Sequence, residues 1–273
     1  MSALRNPRLP WIGSRPALIG VVHLLPTPGS PGYAGALEPL LERAREDARA
    51  LLEGGADALV VENFGDAPFH AERVPPETIA ALALALGGVR ALAPEAPLGV
   101  NVLRNDARAA LGLAAACGAQ FVRVNVHIGA AVTDQGLIQG RAADTVRERE
   151  RLAPQVAILT DVHVKHAAPL GESDIARAAV ETYERGAADA LIVSGTGTGQ
   201  AVDPAELARV RAALPDCPLL LGSGVEPAQA ELVRTQSDGA IVGTWLKAGG
   251  RVGEPVDPER VRALRRALDG EGG

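Results

Sequence analysis

Aromatic side chains make up only 3% of the 273 residues, and the chain holds one methionine and two cysteines. Without large rings, a core drawn from the 47% hydrophobic residues must be aliphatic. That suits a parallel sheet covered by helices, whose buried strands read as short runs of Val, Ile, Leu and Ala. Two cysteines cannot staple a small scaffold. Cys117 and Cys217, each near the end of a helix-like segment, read instead as buried free thiols in a reducing compartment. The net charge of -6 leaves no basic footprint for nucleic acid and no polybasic patch for a membrane surface. No apolar run is long enough to span a bilayer, and the N-terminus lacks the apolar stretch of a signal peptide. These absences predict a soluble cytoplasmic globular protein with neither nucleic acid nor membrane as partner.

One phrase recurs four times. Gly55-Ala-Asp57-Ala-Leu-Val-Val, Gly118-Ala-Gln-Phe-Val-Arg-Val, Gly186-Ala-Ala-Asp189-Ala-Leu-Ile-Val and Ser237-Asp238-Gly-Ala-Ile-Val each close a helix and open a strand. Further apolar strands fall at Ala17–Val22, Leu98–Val102, Val156–Thr160 and Pro218–Leu221, which makes eight. Helical segments fill the gaps, from the amphipathic Glu38–Glu53 to Pro258–Leu268, and Asp203-Pro204 and Asp257-Pro258 mark two starts. Strict alternation at this length predicts an α/β protein with a single (β/α)8 TIM barrel over residues 17–269. Residues 1–16, rich in proline, read as an irregular arm that Trp11 pins across the barrel bottom or against a neighbour. The tail 270–273 reads as mobile. An open doubly wound sheet would want a Gly-x-Gly-x-x-Gly turn after its first strand, and Val21-Val22-His23-Leu24 has none.

The run Leu219-Leu-Leu-Gly222-Ser223-Gly224-Val225 and, one helix later, Gly239-Ala-Ile-Val-Gly243-Thr244 each end an apolar strand in glycine and a small hydroxyl residue. Glycine lets a phosphate approach the backbone N–H groups closely. Such a pair in the final third matches the phosphate grip after strands 7 and 8 of a barrel. Side-chain parity adds a polar cup above an apolar plug. Following one parity, His23, Glu62, Asn101, Arg123, Asn125, Asp161, His163, Lys165 and Ser194 all fall toward the C-terminal ends of strands.

The densest segment is Thr160-Asp161-Val-His163-Val-Lys165-His166. Carboxylate, imidazole and ammonium there suit proton transfer, with Glu62 as the opposite acid or base; a buried ion-pair network is the bland alternative. Lys165 also suits a Schiff base with a carbonyl or a contact to substrate phosphate. A divalent metal on Asp161, His163 and Glu62 is a minority alternative, because no metal-ligand spacing motif is present. His23 opens a loop with three prolines and two glycines, and Asn63-Phe64-Gly65-Asp66-Ala67-Pro68-Phe69 supplies two of three phenylalanines as a pocket wall. Gly195–Gln200 reads as a flexible lid or a plain turn. Thr133–Arg141 prolongs the connection after the fourth strand and is expected to fold inward as another part of the lid.

Taken together, His23-Leu-Leu-Pro-Thr-Pro-Gly-Ser-Pro, Val61-Glu-Asn-Phe-Gly-Asp-Ala-Pro-Phe69, Asn101-Val-Leu-Arg-Asn-Asp106, Asp161-Val-His-Val-Lys-His166 and Gly222-Ser-Gly-Val…Val242-Gly-Thr244 closely resemble the BtpA/SgcQ family, from about Ile19 to Val261. The resemblance implies a phosphate-binding (β/α)8 barrel and no settled activity. The family takes its name from a factor for photosystem I biogenesis, while other members lie in sugar-utilisation gene clusters and carry a nucleoside triphosphatase label. This chain has no Gly-x-x-x-x-Gly-Lys-[Ser/Thr] loop to support that label.

The reading is therefore an enzyme on a small phosphorylated ligand, through isomerase, epimerase or aldolase-type chemistry. Asp161, His163, Lys165 and Glu62 are the catalytic set. Gly222, Ser223, Gly224, Gly243 and Thr244 are the phosphate grip, and His23, Asn63, Asn101, Asn125 and Ser194 bind the rest of the substrate. No cofactor is implied, and pairing into a homo-oligomer is expected. The rivals are a non-catalytic assembly or stability factor and nucleotide hydrolysis.

Overall fold

The computed structural model describes residues 6–13, 15–195, 197 and 200–271. Eight parallel strands close into a barrel: β1 (Ala17–His23), β2 (Ala58–Glu62), β3 (Leu98–Asn101), β4 (Phe121–Val124), β5 (Ala157–Val162), β6 (Ala190–Val193), β7 (Leu219–Leu221) and β8 (Gly239–Val242), which pairs back to β1. A helix follows each strand: α1 (Glu38–Glu53), α2 (Pro76–Leu92), α3 (Ala107–Cys117), α4 (Ala142–Leu152), α5 (Ile175–Val180), α6 (Pro204–Ala213), α7 (Ala230–Gln236) and α8 (Pro258–Asp269). Asp203 and Asp257 cap α6 and α8 as their Asp-Pro signals suggest, each accepting from a first-turn N–H. The segment expected as a helix over Ser173–Arg185 is shorter: α5 gives way to a π-helical turn at Glu181–Arg185.

Inward parity holds along the strands. Ile19, Val21, Ala58, Val60, Phe121, Leu159, Ile192 and Ile241 form the plug inside the barrel, while Leu18, Val22, Leu59, Val100 and Ile158 face the helices. With so few aromatics, one ring has large consequences. Phe121 fills the barrel centre over Gly99, where any Cβ would collide with its ring. The N-terminal arm closes the bottom: Leu9 and Ile12 join the plug, and Trp11 lies 5.6 Å from Phe121 between ring centroids. Residues 1–5, Ser14 and the last two residues of the tail lie outside the described residues.

The fourfold phrase has a physical meaning at that bottom face. The residue just before each even-numbered strand (Asp57, Gln120, Asp189 or Asp238) accepts a hydrogen bond from a backbone N–H of the preceding strand. These donors are Leu18, Leu98, Ile158 and Leu219, each at 2.8 Å. The same four side chains are held by arginines of the even-numbered helices: Arg265 and Arg149 at 2.8 Å, Arg90 at 2.8 Å and Arg211 at 2.7 Å. Each clamp satisfies strand-end donors that would otherwise be left unpaired where the sheet begins.

Two connections at the opposite face form a second sheet that the periodicity did not suggest. Strands Ala130–Thr133 and Gly136–Gln139 make an antiparallel hairpin, and Ala167–Pro169 pairs with the first of them. Gly136 supplies the left-handed residue of the turn, at φ 91°. Ala131 and Ile138 pack on Val126 and Val164, which leaves Val132 and Leu137 exposed. The Thr133–Arg141 segment is thus mostly a flank of the mouth rather than an inward lid, and only its Asp134 lines the opening.

The clamps differ in charge, and this sets an expected ranking. Asp189→Ala leaves the buried Arg149 guanidinium with only the half-exposed Glu150 as partner and should cost about 3 kcal/mol. Gln120→Ala removes only neutral acceptors and should cost about 1–2 kcal/mol. Urea unfolding of both variants checks the order; equal losses would contradict the ion-pair account.

Candidate active site

The mouth of the barrel follows from strand register. His23, Glu62, Asn101 and Arg123 are consecutive register partners across β1 to β4, so one row of four strands presents four polar side chains on one side. Asn101 donates to Glu62 Oε2 at 2.6 Å, and His23 Nε2 stands 3.8 Å from Glu62 Oε1. Across the β4–β5 seam, Arg123 forks onto Asp161 with Nε–Oδ2 at 2.9 Å and Nη2–Oδ1 at 2.7 Å. Asn125 and Ser194 also donate to this carboxylate, at 2.9 and 3.2 Å. Burial opposes the charge on Asp161, but the Arg123 guanidinium and the Asn125 amide outweigh it and hold the carboxyl below its ordinary value. An acid held ionised by four donors is poorly suited to trade protons. Asp161, expected as a catalytic acid or base, is the carboxylate that holds the Arg123 fork.

The glycine loops face this row. Gly222, Ser223, Gly224, Gly243 and Thr244 line a cavity of about 340 Å³ together with His23, Glu62, Arg123 and Lys165. Ser223 and Thr244 therefore share one space, as a grip requires. Part of the glycine signal is packing: a Cβ on Gly243 would lie 2.6 Å from His23 Cε1, and one on Gly222 would strike Ser194 Oγ. Gly224 is left-handed, at φ 66°, and passes against the Gln200 backbone. Ser223 Oγ accepts from Gly195 N and donates to Gln200 O, both at 3.2 Å, so the β7 loop is tied to the β6 loop. Of that expected lid, Thr196, Thr198 and Gly199 lie outside the described residues.

A second lobe of about 410 Å³ shares Glu62, Phe64, Arg123 and Lys165 with the first and is completed by Asn101, Asn125, Phe69 and Arg104. Phe64 and Phe69 form its wall, as their rarity suggested, and Phe64 also stacks on His23 at 4.6 Å. Lys165 belongs to both lobes. Its ammonium has no hydrogen bond and no ion pair among the described residues. Burial and then Arg123 lower its pKa, with Glu62 and Asp161 opposing. His23 is driven well below the usual histidine range by burial, then by Lys247, Lys165 and Arg123, so at neutral pH it is an uncharged imidazole.

Other expected site residues sit elsewhere. His163 adopts a left-handed backbone at φ 51°, which turns it off the β5 parity; it donates through Nε2 to Glu172 O at 3.0 Å beside the small sheet. Asn63 accepts from Leu103 N at 2.8 Å and donates to Asp66, fastening the β2 loop to the β3 loop behind the mouth. Ser194 backs Asp161 rather than lining either lobe. Asp161, His163 and Glu62 do not converge. Among the described residues, no three or more His, Cys, Asp or Glu side chains could hold one ion. Cys217, its thiol pushed up to about 12 by burial, offers no nucleophile. Inward parity on β4 places Arg123 in the mouth but assigns it no role, and no local signal points to Arg104.

The neutral burial of His23 carries a pH dependence. Its folded pKa lies below the unfolded value, so its share of stability is complete above about pH 6.5 and lost as pH falls below that. Buried His127 is shifted the same way and adds to the slope. Urea midpoints measured from pH 7.5 to 5 should fall steadily for the natural chain and less steeply for His23→Gln; identical slopes would contradict the assignment.

Comparison with known proteins agrees with this architecture. A curated relative, the photosystem I biogenesis protein BtpA of Synechocystis, is 44% identical over 251 residues, 92% of this chain and 87% of its own. An uncharacterized protein of Pyrococcus horikoshii is 46% identical over 252 residues, 92% of this chain and 95% of its own. Among solved structures, thiamine phosphate pyrophosphorylase from Pyrococcus furiosus matches with TM-score 0.59 at 18% identity, covering 98% of this chain and 99% of that one. Phosphoribosyl anthranilate isomerase from Thermus thermophilus matches with TM-score 0.56 at 16% identity, covering 93% and 98%. At such identities the likeness is one of fold. The BtpA family model matches residues 14–270, and the chain belongs to the BtpA family.

Proposed function

We propose that this chain is an enzyme that moves a proton beside the carbonyl of a small phosphorylated metabolite, in sugar-phosphate isomerisation, epimerisation or aldol-type cleavage. The observation that carries the reading is Lys165: a buried amine with no hydrogen bond or ion pair among the described residues, at the junction of two lobes, opposite the glycine loops and close to a row containing Glu62. Backbone N–H groups at Gly222–Gly224 and Gly243, with the hydroxyls of Ser223 and Thr244, hold the phosphate; Arg123 adds positive charge to the same cavity.

The lowered pKa leaves more of Lys165 as free amine, which condenses with the substrate carbonyl and releases water, while its protonated form polarises that carbonyl instead. Glu62, aimed by Asn101, takes the proton from the adjacent carbon. Neutral His23 next to Glu62 offers a hydrogen bond without adding charge. Fold likeness to enzymes of phosphorylated compounds supports the reading by analogy of architecture only. A cytoplasmic location and a homo-oligomeric assembly belong to the same proposal.

Incubating phosphorylated aldoses, ketoses and keto acids with the protein in heavy water, and following deuterium uptake beside the carbonyl by NMR, tests it. At least one compound should exchange, and Lys165→Met or Glu62→Gln should slow exchange by about a hundredfold or more. Exchange unchanged in Lys165→Met, or absent with every compound, would overturn the reading and favour a non-catalytic assembly role.

A further inference from the structure

The second lobe contains a cation that the proposed chemistry leaves unused. Arg104 is 6% exposed, yet it forms no ion pair within 4.0 Å among the described residues. Its guanidinium donates to Lys165 O at 2.8 Å and, weakly, to Asn125 Oδ1 at 3.4 Å. A guanidinium carries five N–H donors in a planar fork, so three remain unmatched. The other buried arginines each face a carboxylate: Arg123 forks onto Asp161, Arg149 pairs with Asp189 and Glu150, and Arg265 pairs with Asp57 and Asp269. Asp134, the remaining acid lining the lobe, is exposed on the hairpin tip and beyond ion-pair distance. A buried guanidinium on a cavity wall, with no carboxylate among the described residues to pair it, offers its free donors to an external oxyanion.

We infer that the substrate carries a second anionic group, a carboxylate or a second phosphate, which Arg104 binds in the lobe walled by Phe64 and Phe69 while the glycine loops hold the first phosphate. Asn125 and the Lys165 carbonyl hold the guanidinium in place, so its free edge is directed rather than mobile. With both ends of the ligand anchored, the intervening carbons lie across Lys165 and Glu62, the only acid and amine common to the two lobes. This inference rests on the proposed phosphate grip and narrows its ligand to small dianionic-ended molecules.

Calorimetric titration with inorganic phosphate, simple alkylphosphonates, ω-phosphonocarboxylates and alkylbisphosphonates of matched chain lengths tests both layers. At one spacing, a compound with two anionic ends should bind at least about tenfold tighter than its single-ended match, as expected for a charged fork on an oxyanion. The tighter series, carboxylate or bisphosphonate, identifies the second group. Arg104→Gln should erase the preference and leave alkylphosphonate affinity within about twofold; Arg104→Lys, which keeps the charge but not the fork, should retain part of it. If single-ended compounds bind and no double-ended one binds tighter, or if the preference survives Arg104→Gln, the second-anion inference is wrong and the phosphate grip stands. If nothing binds, inorganic phosphate included, the grip itself fails and the inference falls with it. The comparison among ligands on the natural chain does not depend on either variant folding.

Discussion

The bidentate pair between Arg123 and Asp161 is the interaction around which the mouth is organised. Both side chains are buried, and each would carry an unsupported charge into a low-dielectric interior without the other. Their fork crosses the β4–β5 seam, and the added donors from Asn125 and Ser194 bring two neighbouring strand ends to the same carboxylate. That arrangement fixes the row containing Glu62 and Asn101, because Arg123 is the fourth register partner in it. It also places one more positive charge beside Lys165, which helps keep that amine below its usual pKa.

The two ends of the barrel use charge for different ends. At the bottom, four acceptors preceding the even strands are each matched by an arginine from the outer helices, so strand-end N–H groups and guanidinium donors are consumed together. At the top, cations are left with capacity to spare: among the described residues Lys165 has no hydrogen bond or ion pair and Arg104 has no carboxylate partner. Matched charges at one end favour stability. Incomplete satisfaction at the other is where a ligand has something to add.

Glycine serves two purposes at the mouth. Gly222 and Gly243 are compelled by their neighbours, since a methyl group would displace Ser194 or His23, and both neighbours belong to the polar row or its support. The bare backbone that this packing requires is also what an anion needs for close approach. Ser223 Oγ ties Gly195 and Gln200 of the β6 loop to the β7 loop, where Gly224 passes against the Gln200 backbone.

Local rules and periodicity determined the barrel itself. Aliphatic strand runs, Asp-Pro helix starts and the phrase repeated around Asp57, Gln120, Asp189 and Asp238 are short-range signals, and parity then placed Glu62, Asn101, Arg123 and Asp161 inside the mouth. Beyond the last ladder bond that reasoning lost its footing. A left-handed backbone swung His163 away, Asn63 turned to fasten two loops, and a small sheet formed from segments that pair across thirty residues of sequence. Only the tertiary structure decided that Asp161 is saturated, that Lys165 is not, and that Arg104 reaches the same cavity. Partners separated by many residues compete for each charge, and no spacing along the chain records which of them comes within hydrogen-bond distance.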